Sequence, residues 1–449
     1  GKKKHSFYFK QENLNRLLVF AFLFLCCYKV LRKNGVEKFL WLMVGMLMIN
    51  STYSPIVLKN AHFTLSLTYL ASLLIGQNTI KDFGKYPLKK ISIIIAIVYV
   101  IIAISCTWQS FPQSLYKGAI DYSISFLMLF AGYNAIKDNA DYDRVLKVLK
   151  PIVLVSAVYG LFCFVLKDNP YNKLIGISEV GINYDFFETQ RGYRIAGFCN
   201  TSNPHAHLLM VSSFLLINRE KSKYNYILLI LSLMNILLSD SRAPLADLGV
   251  LILMYFILTK GSSKKNKVII YFICTILILF QIPFFSDFVD GIIGKVTDVF
   301  ASEGETEVSG SSMVLRVSQL LAAWNYFIQA PFFGHGFGYY GDFIFIPGTD
   351  CNGLWGMESY ILWLMVEQGG IMIILACIFY ASLYMSLGKY KKMEYYKIPV
   401  TLTTVLVMYL LLNRPTDVYE YYLPFIGIGL KLLAINKKQN KVPQLNTCF

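Results

Sequence analysis

Long apolar runs recur along almost the whole chain, and they constrain the fold more than any other feature of the sequence. Their length is close to the roughly 17 to 25 residues that an α-helix needs to cross the hydrocarbon core of a bilayer. Only 15% of the 449 residues are charged, whereas a soluble domain carries about 25%. The sequence therefore predicts an all-α integral membrane protein, a polytopic helical bundle of about 12 to 13 spans. The predicted spans are 16–31, 38–58, 61–80, 91–108, 118–136, 149–166, 204–218, 224–239, 243–259, 268–284, 358–387, 397–412 and 417–434.

Basic residues gather in short loops between these runs. The loops are 81–90, 137–150, 219–223, 260–267, 389–397 and 437–441. They account for the formal net charge of +15, which in a soluble protein would point to nucleic acid. Loops rich in Lys and Arg stay in the cytoplasm, so the pattern predicts a multi-pass protein of the inner or cytoplasmic membrane with these loops inside. Because topology explains the charge, we expect no nucleic-acid partner.

One segment breaks the series of spans. Residues 285–357 form the longest non-apolar stretch, and their charge is acidic, opposite to that of the cytoplasmic loops. We therefore expect a single membrane domain over 1–449 with 285–357 inserted on the outer face. Within the insert, 313–330 have apolar positions at helical spacing and predict an amphipathic helix on the membrane surface. A second outer segment runs over 167–203, and long loops of this kind are usually functional.

Four arginines stand near the predicted outer membrane edge: Arg191, Arg194, Arg242 and Arg316. An arginine in this position usually has a partner. For Arg194 and Arg242, with Arg191 nearby, one alternative is a lipid phosphate or one of Asp185, Asp240 and Asp247. The other is the diphosphate of a lipid-linked substrate, because a guanidinium binds phosphate oxygens in pairs. Arg316 is either a further phosphate ligand or, as we favour, an ordinary interfacial arginine.

Three residues are candidates for proton transfer. His335 lies in Gly334-His335-Gly336-Phe337-Gly338, where it is either a general base or, as we favour, a turn residue. Glu358 begins a predicted span, and the macrodipole favours a carboxylate there whether or not it is a base. Glu367, nine residues deeper, is expected to be paired within the bundle or to line a cavity. The sequence contains no HExxH motif, so we expect no metal site.

Several short motifs resemble, in the same order, those of the bacterial O-antigen polymerase and ligase superfamily. They are Arg194-x-x-Gly197 with Asn203-Pro204, Ser241-Arg242-Ala243, Arg316 with Trp324, Pro331 and Gly334-x-Gly336-x-Gly338, then Glu358-Ser359-Tyr360-x-Leu362 and Glu367-x-Gly369-Gly370. They cover the C-terminal half of the chain, whereas the N-terminal half matches only as generic spans.

The resemblance implies a glycosyltransferase of the GT-C type that uses undecaprenyl-diphosphate-linked glycans at the periplasmic or extracellular side. It implies that Arg194 and Arg242 hold the donor diphosphate, with a lipid-linked glycan as acceptor and a chain-length regulator protein as a further partner. The ligase branch has a His-Asn pair where this chain has Glu358-Ser359. This difference favours a Wzy-type polymerase, with Glu358 as the base, His335 in reserve, and no cofactor.

Two alternatives stay open. One is an O-antigen ligase-type transferase that passes the glycan to a lipid or protein acceptor. The other is a flippase or transporter for lipid-linked oligosaccharide, which would also need arginines for diphosphate but should show internal repeats. The product of a polymerase would be O-antigen of lipopolysaccharide, capsule or exopolysaccharide.

Overall fold

The fold is known from a computed structural model, which describes part of the chain. The described residues are 21–22, 24–26, 28–33, 35–48, 56–58, 61–63, 89–106, 126–174, 193–199, 201–239, 241–259, 313–340, 354, 357, 359–413 and 418–439.

Almost all of the described residues are helical. The helices are α1 (Gly35–Met48), α2 (Lys89–Cys106), α3 (Phe126–Ala135), α4 (Asn139–Leu166), α5 (Pro170–Leu174), α6 (Ser202–Arg219), α7 (Lys223–Leu238), α8 (Arg242–Leu258), α9 (Met313–Gln329), α10 (Tyr360–Glu367), α11 (Gly369–Gly388), α12 (Lys397–Leu412) and α13 (Tyr419–Gln439). A 3₁₀ turn, Glu394–Tyr396, precedes α12, and the described part of 21–32 is also helical. Two of these helices, α4 and α11, are by themselves long and apolar enough to cross a membrane.

Connecting segments that are far apart in the sequence lie together at the ends of the bundle. At one end, Arg219 at the end of α6 contacts Asp143 near the start of α4, with Nε to Oδ1 2.8 Å apart. Arg219 also donates to the Tyr395 hydroxyl, 2.6 Å away. The basic loops 137–150, 219–223 and 389–397 therefore meet at what we call the basic end. The opposite end, which we call the outer end, carries the starts of α6, α8 and α10.

The core surrounds α13, whose residues between Val418 and Leu433 are almost all buried. Helix α8 packs on α12, α12 on α13, and α7 on both α4 and α6. The far side of α4 instead exposes an apolar stripe, Val155, Val158, Phe162 and Val165, at helical spacing. In water such a stripe would be costly, and lipid is the solvent that suits it.

Glycines allow α3 and α13 to approach closely. A Cβ on Gly132 would collide with the Pro424 backbone, and one on Gly427 would collide with the backbone oxygen of Leu129. Small residues serve this purpose where helices pack within a membrane, because they bring the two backbones into van der Waals contact.

Gly132→Ala should therefore lower the free energy of unfolding by about 1–3 kcal/mol, the usual cost of overpacking. Gly249→Ala is the matched control, because this helical glycine has open space where a Cβ would stand. The control should be neutral or up to about 1 kcal/mol more stable, since alanine is the better helix former. Thermal unfolding of both purified variants in the same detergent measures the difference. Equal destabilisation of the two would contradict the close approach.

Two predicted spans are wrong near residue 56, where the structure has a β-hairpin and not helix. The span predicted over 38–58 ends as a helix at Met48, and Ile56–Leu58 pairs antiparallel with Ala61–Phe63, the start of the span predicted over 61–80. Two sequence features favour this hairpin. The residue before Pro55 is biased away from helical angles, and β-branched Ile56 and Val57 favour a strand.

The span predicted over 358–387 is also wrong as one continuous helix. It is divided into α10 and α11 at Gln368, and Gly369 has a φ of +68° that is not helical. By contrast, the amphipathic helix predicted over 313–330 is present as α9. Its apolar residues Leu321 and Ile328 are exposed, and Ala323 is buried on the other face. A position on the membrane surface stays a prediction. The span 268–284 and residues 285–312 of the insert lie outside the described residues.

Candidate functional site

Two helices begin side by side at the outer end. The Ser241 hydroxyl, just before α8, donates to the side-chain oxygen of Asn203, the second residue of α6. The preceding residues, Thr201 for α6 and Ser241 for α8, make no side-chain capping bond to their own helix. The positive ends of two macrodipoles therefore lie together, and the third residue of each helix is a proline, Pro204 or Pro244, which has no N–H to be capped.

Arg242 is the first residue of α8, at this paired helix start. A cation is unfavourable at a helix N-terminus, because the macrodipole is positive there. Both the helix dipole and the guanidinium of Arg242 favour an anion as a partner at this position. The side chains of Arg242 and Arg316, and all of Arg191, lie outside the described residues, so their contacts stay predictions.

Arg194 belongs to a short segment, 193–199, that is fastened to the same end of the bundle. The side-chain amide of Asn169 donates to the Gly197 carbonyl at 2.7 Å, and that of Asn172 donates to the Cys199 carbonyl at 3.2 Å. Gly197 has a φ of +55° and lies directly against the His205 ring, so that a Cβ would collide with it. The segment is thereby seated on the first turns of α6, with Arg194 only partly exposed.

His205 is buried beneath this segment, and its Nε2 has a hydrogen-bond partner. Its Nε2 donates to the Asn235 side-chain oxygen at 3.1 Å, because an amide oxygen can only accept. The Asn235 amide in turn donates to the Ala157 carbonyl at 3.0 Å. This network joins α4, α6 and α7 and makes the outer end rigid.

A second buried polar cluster lies below the paired helix starts, and sequence reasoning did not predict its contacts. Asp247 of α8 is 1% exposed, and its Oδ2 lies 3.6 Å from Nε2 of His207 in α6. The Nδ1 of His207 is 2.9 Å from the hydroxyl of Tyr422. Among the described residues, neither carboxylate oxygen of Asp247 has a hydrogen-bond partner. Asp247, one of the carboxylates considered above for Arg194 and Arg242, thus lies against a histidine.

The glycine-rich loop 331–340 docks onto the break between α10 and α11. In a continuous helix the amides of Gly370 and Ile371 would bond to the carbonyls of Val366 and Glu367. Instead, Gly370 and Ile371 donate to the carbonyls of Pro331 and Phe332 at 2.8 and 3.2 Å. The two vacated carbonyls accept from the loop: His335 N–H reaches Val366 O, and Gly336 N–H reaches Glu367 O, both at 2.9 Å.

Glycine is required on both sides of this contact. Gly334 and Gly369 both have positive φ, and a Cβ on either would collide with the backbone of the other segment. The four exchanged hydrogen bonds pair two amides and two carbonyls that the break removes from the helix, as a helix broken away from water requires. This docking explains the glycine at the start of the Gly334-x-Gly336-x-Gly338 pattern.

Glu367 is 1% exposed, and its two oxygens accept from the same loop. Oε2 accepts from the Gly338 amide at 2.8 Å, and Oε1 accepts from the Tyr340 amide at 2.9 Å. The expectation of a paired acid within the bundle is confirmed, with backbone amides as the partners.

His335 is a turn residue, as the sequence favoured. Its Nε2 donates to the Tyr326 carbonyl at 2.9 Å, and its ring stacks on Tyr339 with centroids 4.8 Å apart. Because the carbonyl can only accept, Nε2 carries the proton and Nδ1 keeps a lone pair. Burial raises the pKa of the Tyr339 phenol above its ordinary value, and the neighbouring Tyr326 adds to this shift, so the phenol is neutral near pH 7.

Glu358 lies outside the described residues, but the residues on both sides of it are held. The Met357 amide donates to the Tyr340 hydroxyl at 3.0 Å, and the Ser359 hydroxyl donates to the Leu411 carbonyl at 3.0 Å. The start of α10 is thereby anchored to the glycine-rich loop and to the end of α12. Across the described part of the chain, no three His, Cys, Asp or Glu side chains are grouped as metal ligands.

Residues 227–377 match the sequence model of a family described as O-antigen ligase. The matched range runs from α7 to α11 and includes Arg242, His335, Glu358 and Glu367, whereas Arg194 lies before it. No curated protein sequence matches the chain.

The matched range is about a third of the chain, and it contains the paired helix start of α8 and the docked loop. It supports an enzyme of O-antigen-type glycosyl transfer in a membrane, with lipid-linked glycans as substrates. It does not support a chain-length regulator as partner. Over residues 227–377 this protein is thus similar to the O-antigen ligases, which supports the O-antigen polymerase and ligase superfamily without separating polymerase from ligase.

Proposed function

We propose that this protein is a polysaccharide polymerase that joins undecaprenyl-diphosphate-linked repeat units at the outer face of the bacterial inner membrane. Both donor and acceptor are lipid-linked glycans, and the transfer inverts the anomeric centre without a metal ion. The chain is one multi-pass membrane domain, into which residues 285–357 are inserted on the outer side.

The paired N-termini of α6 and α8 are the observation that carries this proposal. The two adjacent helix N-termini and the position of Arg242 create a positive site at the end of the bundle. A diphosphate is a compact group with several negative charges, and guanidinium groups at Arg194 and Arg242 suit its oxygens. An attached polyprenyl chain would lie in the bilayer beside the helices, which places the sugar just outside.

In this mechanism Glu358 removes the proton from a hydroxyl of the acceptor sugar. The resulting oxygen attacks the anomeric carbon of the donor glycan from the face opposite the diphosphate. The bond between that carbon and the diphosphate oxygen breaks, and undecaprenyl diphosphate leaves with the electron pair. Arg194, Arg242 and the helix amides stabilise the charge that develops on the leaving group. His335 is the reserve base, because Nδ1 keeps a lone pair.

A ligase is the second candidate, and the match to the O-antigen ligase family is the observation that favours it. The chemistry at the donor would be the same, and only the acceptor would differ. The Glu358-Ser359 sequence, in place of the His-Asn pair of the ligase branch, favours the polymerase.

The test is a transfer assay with the purified protein in detergent, run in parallel with and without a chelator. Undecaprenyl-diphosphate-linked repeat units are supplied alone or with a lipid-core acceptor. A ladder of products from repeat units alone supports the polymerase. Single transfer that needs the lipid core would support the ligase instead. Binding of repeat units without any product would favour a flippase, and loss of all product with chelator would overturn metal independence.

A further inference from the structure

A hydrogen-bonded chain links Glu367 to the backbone beside Glu358. The Glu367 carboxylate accepts from the Tyr340 amide at 2.9 Å, and the Tyr340 hydroxyl accepts from the Met357 amide at 3.0 Å. Met357 directly precedes Glu358 in the sequence. Although 27 residues separate Glu367 from Tyr340, only two hydrogen bonds separate its carboxylate from the start of α10.

All three residues that form this series of hydrogen bonds are buried. Glu367 and Met357 are each 1% exposed, and Tyr340 is 5% exposed. A buried carboxylate that accepts two backbone amides costs desolvation, which a neutral residue would avoid. We therefore expect Glu367 to have a role that depends on its two acceptor oxygens, which the apolar side chains of Met365 and Val366 lack.

We propose that Glu367 and Tyr340 are positioning residues for glycosyl transfer, which hold the backbone that carries Glu358. Glu367 fixes the loop 338–340 through two amides, and the Tyr340 hydroxyl passes this constraint to Met357. The proposal rests on the function proposed above, in which Glu358 is the base. Because Glu367 is buried, it acts through the backbone and does not touch substrate. A shift of about 1 Å in a reacting group costs about 100-fold in rate, so such a constraint matters for catalysis.

The experiment compares Glu367→Gln, Tyr340→Phe and the double variant with the wild-type protein. In Glu367→Gln one acceptor oxygen becomes an amide that faces a backbone N–H, so one of the two bonds is lost. Tyr340→Phe removes one of the two acceptors of the Met357 amide and leaves the Leu354 carbonyl, 3.1 Å away, as the other. Each should lower kcat about 10- to 100-fold while the KM for donor changes less than about twofold. The double variant should fall no further than the slower single variant, because both act through one chain.

Tyr384→Phe is the matched control. It also removes one hydroxyl and one hydrogen bond, to Thr404 at 2.9 Å, but between α11 and α12 nearer the basic end. Its kcat should equal that of the wild type. An unchanged kcat in Glu367→Gln and Tyr340→Phe, a rise in KM alone, or additive losses in the double variant would each overturn the positioning role.

Hydrogen exchange separates this proposal from the proposed function. Glu367→Gln should speed amide exchange by at least about tenfold at Gly338 or at Tyr340, whichever amide faces the new NH₂ group. Tyr340→Phe should speed exchange at Met357, whose amide then keeps only the Leu354 carbonyl as acceptor. If the wild-type protein transfers no glycan, the proposed function fails, and a catalytic positioning role fails with it. Faster exchange would then still show that Glu367 organises the loop. Unchanged exchange would refute the hydrogen-bonded link from Glu367 through Tyr340 to Met357.

Discussion

Arg242→Ala should slow glycosyl transfer by about 100- to 1,000-fold, the loss seen when a donor to a developing negative charge is removed. Arg242 is the first residue of α8, where the helix dipole and the adjacent start of α6 already concentrate positive charge. The arginine adds a forked donor that matches two oxygens of the leaving diphosphate. The measurement is the initial rate of product formation at saturating repeat unit, with donor binding determined separately.

Two further variants sharpen this result. Arg242→Lys keeps the charge but loses the fork, so its rate should lie between those of the wild type and Arg242→Ala. Arg144→Ala removes an exposed arginine at the basic end, where it pairs with Asp141 at 3.2 Å, and should leave the rate unchanged. A normal rate in Arg242→Ala would refute Arg242 as a ligand of the leaving diphosphate.

Glu358→Gln should lower kcat by about 100- to 10,000-fold, the range that a positioned general base contributes. Glutamine is close in size to glutamate and keeps a polar side chain, but it cannot accept a proton at neutral pH. The neighbouring anchors, Met357 to Tyr340 and Ser359 to Leu411, use the backbone and Ser359, so the substitution should not disturb them. Binding of the donor should stay within about twofold, because the base acts only in the transition state.

His335→Gln identifies the base by comparison. If Glu358 is the base, this variant should lose less than about tenfold, through its contact with the Tyr326 carbonyl alone. Full activity in Glu358→Gln together with a large loss in His335→Gln would transfer the role to His335. Full activity in both variants would exclude each of them as base.

The helices themselves were largely predictable from the sequence. The runs predicted over 224–239 and 397–412 are the helices Lys223–Leu238 and Lys397–Leu412. Such agreement is expected, because apolar composition and the next few neighbours decide whether a segment is helical. The charge pattern also predicted which loops share one end, and Arg219 with Asp143 and Tyr395 shows them together.

The break in the predicted span 358–387 was not predictable from its own residues. Gln368 and Gly369 lie within a run of apolar residues that are compatible with a continuous helix. The run is divided because Pro331, Phe332, His335 and Gly336 replace its internal hydrogen bonds. These partners are more than thirty residues away in the chain, and no local pattern indicates that they dock there.

The sequence by itself determined that this chain is built of apolar helices, which of its loops are basic, and which arginines and carboxylates stand at helix ends. These are local properties, set by composition and by short-range periodicity. Only the tertiary structure decided that the starts of α6 and α8 are paired, that Asp247 lies against His207, and that Glu367 holds the loop leading to Met357. The physical reason is that hydrogen bonds between distant segments depend on how helices pack, and packing is a property of the whole bundle.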